Sequence, residues 1–135
     1  MIEIRWQQRY QNFSKAFQQL TEIVGKENLN KFEQAGLVQI FELAFELAWK
    51  VLKDKMENDG LVLDQVSPKA VVKQAYAAKY IDSPETWLRM IGDRNLMSHT
   101  YDFVKFEAVV QSIASFYLPM LQDWYMDLLD EVNNS

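Results

Sequence analysis

One apolar stripe limits this chain more than any other feature. Trp6, Tyr10, Phe13, Phe17, Leu20 and Val24 recur at steps of four and three residues. That spacing returns each side chain to one face of an α-helix, whereas a strand would need strict alternation. A helix with so wide an aromatic face must bury it against other helices. Gly25 follows the last residue of the stripe and stands where a helix ends, and Asn28 or Asn30 can cap the next one.

The same period continues. Phe32, Leu37, Ile40, Phe41, Ala44, Phe45, Ala48, Val51 and Leu52 define a long second helix from about Leu29 to Asn58, stopped by Asp59-Gly60. At about 1.5 Å per residue it is a rod of roughly 45 Å. Leu61-Val62-Leu63 reads as an extended segment tucked onto the core. Ser67-Pro68 and Ser83-Pro84 each place a capping hydroxyl before a proline at the first helical position, which predicts helices over Pro68–Lys79 and Pro84–Met97. A fifth helix runs from Asp102 to Val132, with Phe103, Phe106, Val109, Val110, Ile113, Phe116, Met120, Leu121, Trp124 and Leu128 on its apolar face. Pro119 inside it predicts a kink near Ser115, four residues back, where the proline ring meets a carbonyl. The expected fold is therefore all-α: an up-and-down bundle of about five helices in one domain spanning residues 1–135, with enough aromatic surface to form a dimer. Four glycines and three prolines are too few for a sandwich or barrel with many tight turns.

Composition removes several chemistries. With no cysteine and one histidine, disulfides, thiolate catalysis and a multi-histidine metal centre within one chain are excluded. The dispersed glycines form no phosphate loop or dinucleotide fingerprint, so no cofactor is expected. A net charge of −5 disfavours broad nucleic-acid binding, which relies on lysine and arginine, and requires a local basic site instead. From Trp87 to Phe106, Arg89, Arg94 and Lys105 face only Asp93 and Asp102, a mildly basic island. No basic start followed by an apolar stretch marks Met1–Trp6 and no run of about 18 apolar residues occurs, so a cytoplasmic protein without a membrane span is expected.

Within that island, Asp93-Arg94-Asn95-Leu96-Met97-Ser98-His99-Thr100-Tyr101 concentrates polar groups and holds the sole histidine. On a continuous helix Arg94 and His99 would stand about 140° apart and could not converge. A helix end near Ser98 would let His99 swing back. Arginine offers a fixed planar cation that suits phosphate, and histidine can take a proton from a hydroxyl near neutral pH. Together they suit cleavage of an RNA phosphodiester without a metal, histidine activating the ribose 2′-OH and arginine steadying charge on phosphorus. One histidine does not easily serve as both acid and base, so a two-fold dimer with two Arg94/His99 pairs is the natural arrangement. The residues alone equally fit a histidine that caps carbonyls and an arginine that pairs with Asp93 or Asp102. Asp93 can orient Arg94 or His99, and Asn95 can bond backbone or a ribose. Glu42, Glu46 and Lys50 share one face of the second helix and read as structural or interface residues, with a contact to the Arg94 region as the lesser option. Trp49 and Trp87 read as core or interface anchors.

Arginine, four residues, histidine, any residue, tyrosine is the form taken by Arg94, His99 and Tyr101, and it resembles the signature of the HEPN superfamily. The chain is similar in particular to the HEPN subunits paired with small MNT-type nucleotidyltransferases, also called nucleotidyltransferase substrate-binding proteins. Phe41-Glu42-Leu43-Ala44-Phe45-Glu46-Leu47-Ala48-Trp49-Lys50 resembles that family's second-helix motif, and Ser67-Pro68, Ile81-Asp82 and Trp87-Leu88-Arg89-Met90 match its layout. The resemblance covers roughly Phe32 to Phe106. It implies a dimerising helical bundle and a toxin–antitoxin pair, in which the HEPN subunit is a metal-independent endoribonuclease and an MNT-type nucleotidyltransferase neutralises it. It assigns Arg94 and His99 as catalytic, Asp93, Asn95 and Ser98 as supporting, and Tyr101 as the acceptor of adenylylation. The alternatives are a non-catalytic subunit that binds nucleotide or substrate for a partner nucleotidyltransferase, and a plain helical interaction module.

Overall fold

A computed structural model describes residues 5–99 and 102–134, with the side chain of Phe103 outside the description. Its helices are α1 (Arg5–Val24), α2 (Lys31–Asn58), α3 (Pro68–Ala77), α4 (Pro84–Met97), α5 (Phe103–Ser112) and α6 (Leu118–Asn133), with a π-helical turn at Ile113–Tyr117 joining the last two. Among the described residues there is no strand, and the molecule is an all-α bundle. No helix is long and apolar enough to cross a membrane among the described residues.

Each rod begins and ends for a local reason. Asn30 caps α2 through its side chain, which accepts from Glu33 N at 2.8 Å, while Glu33 Oε1 accepts from Asn30 N at 3.0 Å. This reciprocal pair satisfies two amides that the first turn would otherwise leave open. Asn30→Ala is expected to cost about 1 kcal/mol, read as a lower midpoint in urea with an unchanged slope. Ser67 caps α3 by accepting from Ala70 N at 3.2 Å. Ser83 departs from expectation: it makes no capping bond, and its hydroxyl donates to Asp82 Oδ1 at 3.1 Å instead. Its ψ of 62° takes it out of the extended conformation in which a side chain reaches the first-turn amides.

Helix α3 stops two residues earlier than its apolar pattern predicts. Lys79 adopts φ 68°, and Tyr80 N donates back to Ala75 O at 2.8 Å while Lys79 N donates to Tyr76 O at 3.1 Å. This is the left-handed closure that usually employs glycine. The left-handed residue after α1 is Asn28, at φ 56°, rather than Gly25.

Helices α1 and α2 lie antiparallel. Arg9 Nε, early in α1, donates to Asp54 Oδ2, late in α2, at 2.7 Å. The fifth rod follows α2 in the same direction: Phe41 stacks on Tyr117 with centroids 5.6 Å apart, and farther along Lys55 Nζ reaches Glu131 Oε1 at 2.9 Å. The core between these rods is aromatic. Phe13 meets Trp124 edge-on at 5.2 Å, and Trp87 meets Trp124 edge-on at 5.1 Å. Both Trp87 and Trp49 are buried in the chain's own core. Phe32 is the exception on α2: it stands in the first turn, which runs past the packing, and is 86% exposed.

The fifth rod is interrupted rather than continuous. Pro119 has no N–H to give, and the chain widens into i→i+5 turns just before it, so that the expected kink at Ser115 falls inside the π-helical turn. A turn holding more than four residues returns the fourth residue, not the third, to the same face. Tyr117 is therefore buried where the apolar pattern predicted Phe116, and Phe116 is 51% exposed.

Candidate functional site

The end of α4 stands against the middle of α2. Helix α4 closes at Met97, and Ser98 turns the chain with both its groups on one acceptor: its amide donates to Arg94 O at 3.1 Å and its hydroxyl to the same oxygen at 3.0 Å. His99 N then donates to Leu96 O at 3.2 Å. The helix thus breaks between Arg94 and His99, as their convergence requires, and the His99 ring is exposed in the turn. Ser98 acts on the backbone that carries the motif. Tyr101 lies outside the described residues.

Arg94 is held by α2. Its Nη2 donates to Glu46 Oε2 at 2.7 Å, and its Nη1 to Asn95 Oδ1 at 3.3 Å. Glu46 shares its second oxygen with Lys50, 3.5 Å away and one turn on. Both members of the Arg94–Glu46 pair are about 30% exposed (31% and 30%), so the pair fixes geometry more than it adds stability. Glu46 thus makes both the pair with Lys50 on its own helix and the contact with the Arg94 region that its sequence position leaves as the lesser option. Glu42, one turn earlier, completes an acidic flank. Burial pushes its carboxyl above the usual range, and the nearby Arg94 cation only partly offsets this. A group whose folded value is raised contributes stability at low pH, which is lost as pH rises through that value. Glu42→Gln is accordingly expected to raise the thermal midpoint at pH 7, with the gain vanishing below the ordinary glutamate range. A gain that stayed constant with pH would show that ionisation is not its source.

Asp93 faces the other way. Its Oδ2 accepts the hydroxyl of Tyr117, delivered by the π-helical turn. Burial first, and then this bond to a carboxylate, raise the Tyr117 hydroxyl pKa well above its ordinary value, so it stays a donor. Arg89 lies over Phe116, 4.9 Å from its centroid. The motif's helix is therefore pinned on two sides, by Glu46 through Arg94 and by Tyr117 through Asp93. Tyr117 is a residue the sequence pattern missed. Its only advance signal is Pro119 two positions on, which marks a distorted turn without saying where its side chains point. Among the described residues no hydrogen bond joins Arg94 to His99: the guanidinium goes to Glu46. Among the described residues, too, no three side chains of the ligating types converge as a metal site would need.

The chain matches the model of a family described as "Nucleotidyltransferase substrate binding protein like" over residues 8–130. It is 31% identical over 87 residues to a Haemophilus influenzae protein named "Probable ribonuclease HepT", in an alignment spanning 62% of this chain and 60% of that relative's length. A crystal structure of a Thermus thermophilus protein superposes with a TM-score of 0.72 at 28% identity, covering 88% of this chain and 97% of the other. The chain therefore belongs to the nucleotidyltransferase substrate-binding protein-like family, of HEPN type.

Proposed function

We propose that this protein is a HEPN toxin-type subunit that cleaves RNA as a homodimer without a metal and works beside an MNT-type nucleotidyltransferase. The observation that carries the reading is the break of α4 between Arg94 and His99, in a chain 31% identical over its matched part to a protein named as a ribonuclease. In this mechanism His99 of one copy takes the 2′-hydroxyl proton. The 2′-oxygen attacks phosphorus, the bond to the 5′-oxygen breaks, and the second copy's histidine returns a proton to that leaving oxygen. Arg94, released from Glu46 by the phosphate, steadies the charge that builds on phosphorus. The products are a 2′,3′-cyclic phosphate and a 5′-hydroxyl. Adenylylation of Tyr101 would add a bulky anion to the motif and close the site to RNA. Incubating the purified chain with RNA and mapping the ends tests this. Cyclic phosphate ends formed in the presence of a chelator are expected, and intact RNA at high protein concentration would overturn it.

A second reading is favoured by the chain's net charge of −5, which suits one small phosphate ligand held at a local site better than a long RNA. Here the chain binds a nucleotide or substrate for a partner nucleotidyltransferase, Arg94 holding the phosphate and His99 supporting it. Calorimetry with ATP, with and without the partner, separates the two: nucleotide binding without RNA cleavage supports this reading. No nucleotide binding in either case, together with no complex on a sizing column, would refute it.

A further inference from the structure

The π-helical turn puts a large apolar ring outside the core. Phe116 is half exposed, and Arg89 of α4 lies against it, its guanidinium carbon 4.9 Å from the Phe116 centroid and 5.9 Å from that of Tyr117. Glu85 and Asp93 stand one turn to either side of Arg89, at the spacing of an ion pair, yet among the described residues it pairs with neither. Asp93 accepts from Tyr117 instead. The result is a surface cation stacked on an open ring. Bases of a single strand stack on aromatic rings and on guanidinium planes, whatever their sequence.

The surface between this pair and the motif is kept clear. Arg89, Gly92 and Asn95 recur every three residues, so they line one side of α4, and all three are exposed. Asn95 Oδ1 accepts from Arg94 Nη1 at 3.3 Å, and the exposed His99 follows in the turn. From Arg89 to Asn95 the helix rises about 9 Å. Gly92 sits inside the helix, where alanine would favour the coil more. A Cβ there would meet nothing within 4 Å, so no contact inside this chain requires the glycine. What a missing side chain gives at such a place is close approach of another molecule to the backbone. We propose that a single RNA strand runs along this side of α4, with one base on the Phe116–Arg89 pair, its backbone over Gly92, and the scissile phosphate at Arg94 and His99. The inference rests on the ribonuclease reading and adds to it where the substrate lies beyond the reacting atoms.

The test follows the anisotropy of a fluorescein-labelled, single-stranded 2′-O-methyl octanucleotide on the full chain; this probe lacks the attacking hydroxyl and so stays intact. Phe116→Ala is expected to weaken binding about tenfold, the scale of one lost stacked base, and Phe116→Tyr to stay within about twofold. Gly92→Ala is expected to raise the thermal midpoint by about 3 °C and yet to weaken binding severalfold. Gly36→Ala is the control: an added Cβ there also meets nothing within 4 Å, so the midpoint should rise likewise while affinity stays the same. Thermal scans establish that all four variants are folded. Unchanged affinity in either Phe116→Ala or Gly92→Ala would overturn the proposal, as would no binding to the wild-type chain. A changed oligomeric state of Gly92→Ala on a sizing column would overturn it too, by assigning the cleared side of α4 to a second copy. If the variants bind as expected and unmodified RNA is never cut, the ribonuclease reading fails and the strand's path stands.

Discussion

His99→Ala is expected to lower RNA cleavage by about a hundredfold or more while leaving thermal stability nearly unchanged. The ring is exposed in the turn after α4, so the core loses nothing with it. A loss of that size without unfolding would place the imidazole at the reacting atoms. Arg94→Ala provides the contrast. It removes the phosphate cation and also leaves Glu46 facing only Lys50, so activity should fall by a similar factor with a modest drop in stability. If Arg94→Ala lowered stability and neither variant changed any activity, the motif would be structural.

Phe45→Ala is expected to cost about 3–5 kcal/mol, the largest stability loss among the changes considered. Phe45 is fully buried, tilts against Trp87 at 6.4 Å, and precedes Glu46 on α2. Truncation leaves a cavity beneath the wall that carries both Glu46 and the start of α4. The drop in midpoint by calorimetry should be on the order of 10 °C or more for a domain of this size. The same variant should release Arg94 from its fixed geometry, so residual activity measured well below the new midpoint should fall too. A loss under about 1 kcal/mol would mean that the neighbouring rings collapse into the space.

Much of the frame was readable because its signals are local. Pro68 and Pro84 open helices where a proline can stand, and the apolar pattern reached its last residue of α4 at Met97, where the structure ends that helix. The Arg94–His99 break was readable for the same reason: a covalent spacing of five residues can converge only across a turn. What was not readable depends on partners distant in sequence. Ser83 resembles Ser67 in its flanking proline, yet the conformation imposed on it turns its hydroxyl to Asp82. Glu46 and Arg94 meet across 48 residues, and helical spacing alone could not choose between Lys50 and Arg94 as the glutamate's partner. Tyr117 displaced Phe116 from the core because Phe41 stacks on one and Asp93 accepts its hydroxyl, two contacts that no window of neighbouring residues contains.

The wide turn before Pro119 has a consequence for how this rod could change over time. It holds one residue more than an ordinary coil of helix needs, so shortening it at Ala114 would let the backbone close as plain α-helix and keep Leu121 and Trp124 in phase with Ile113. Length variation by a single codon is thus open at a point where most helices forbid it. What such a deletion would forfeit is the aim of the phenol ring, and with it one of the two tethers on the motif's helix.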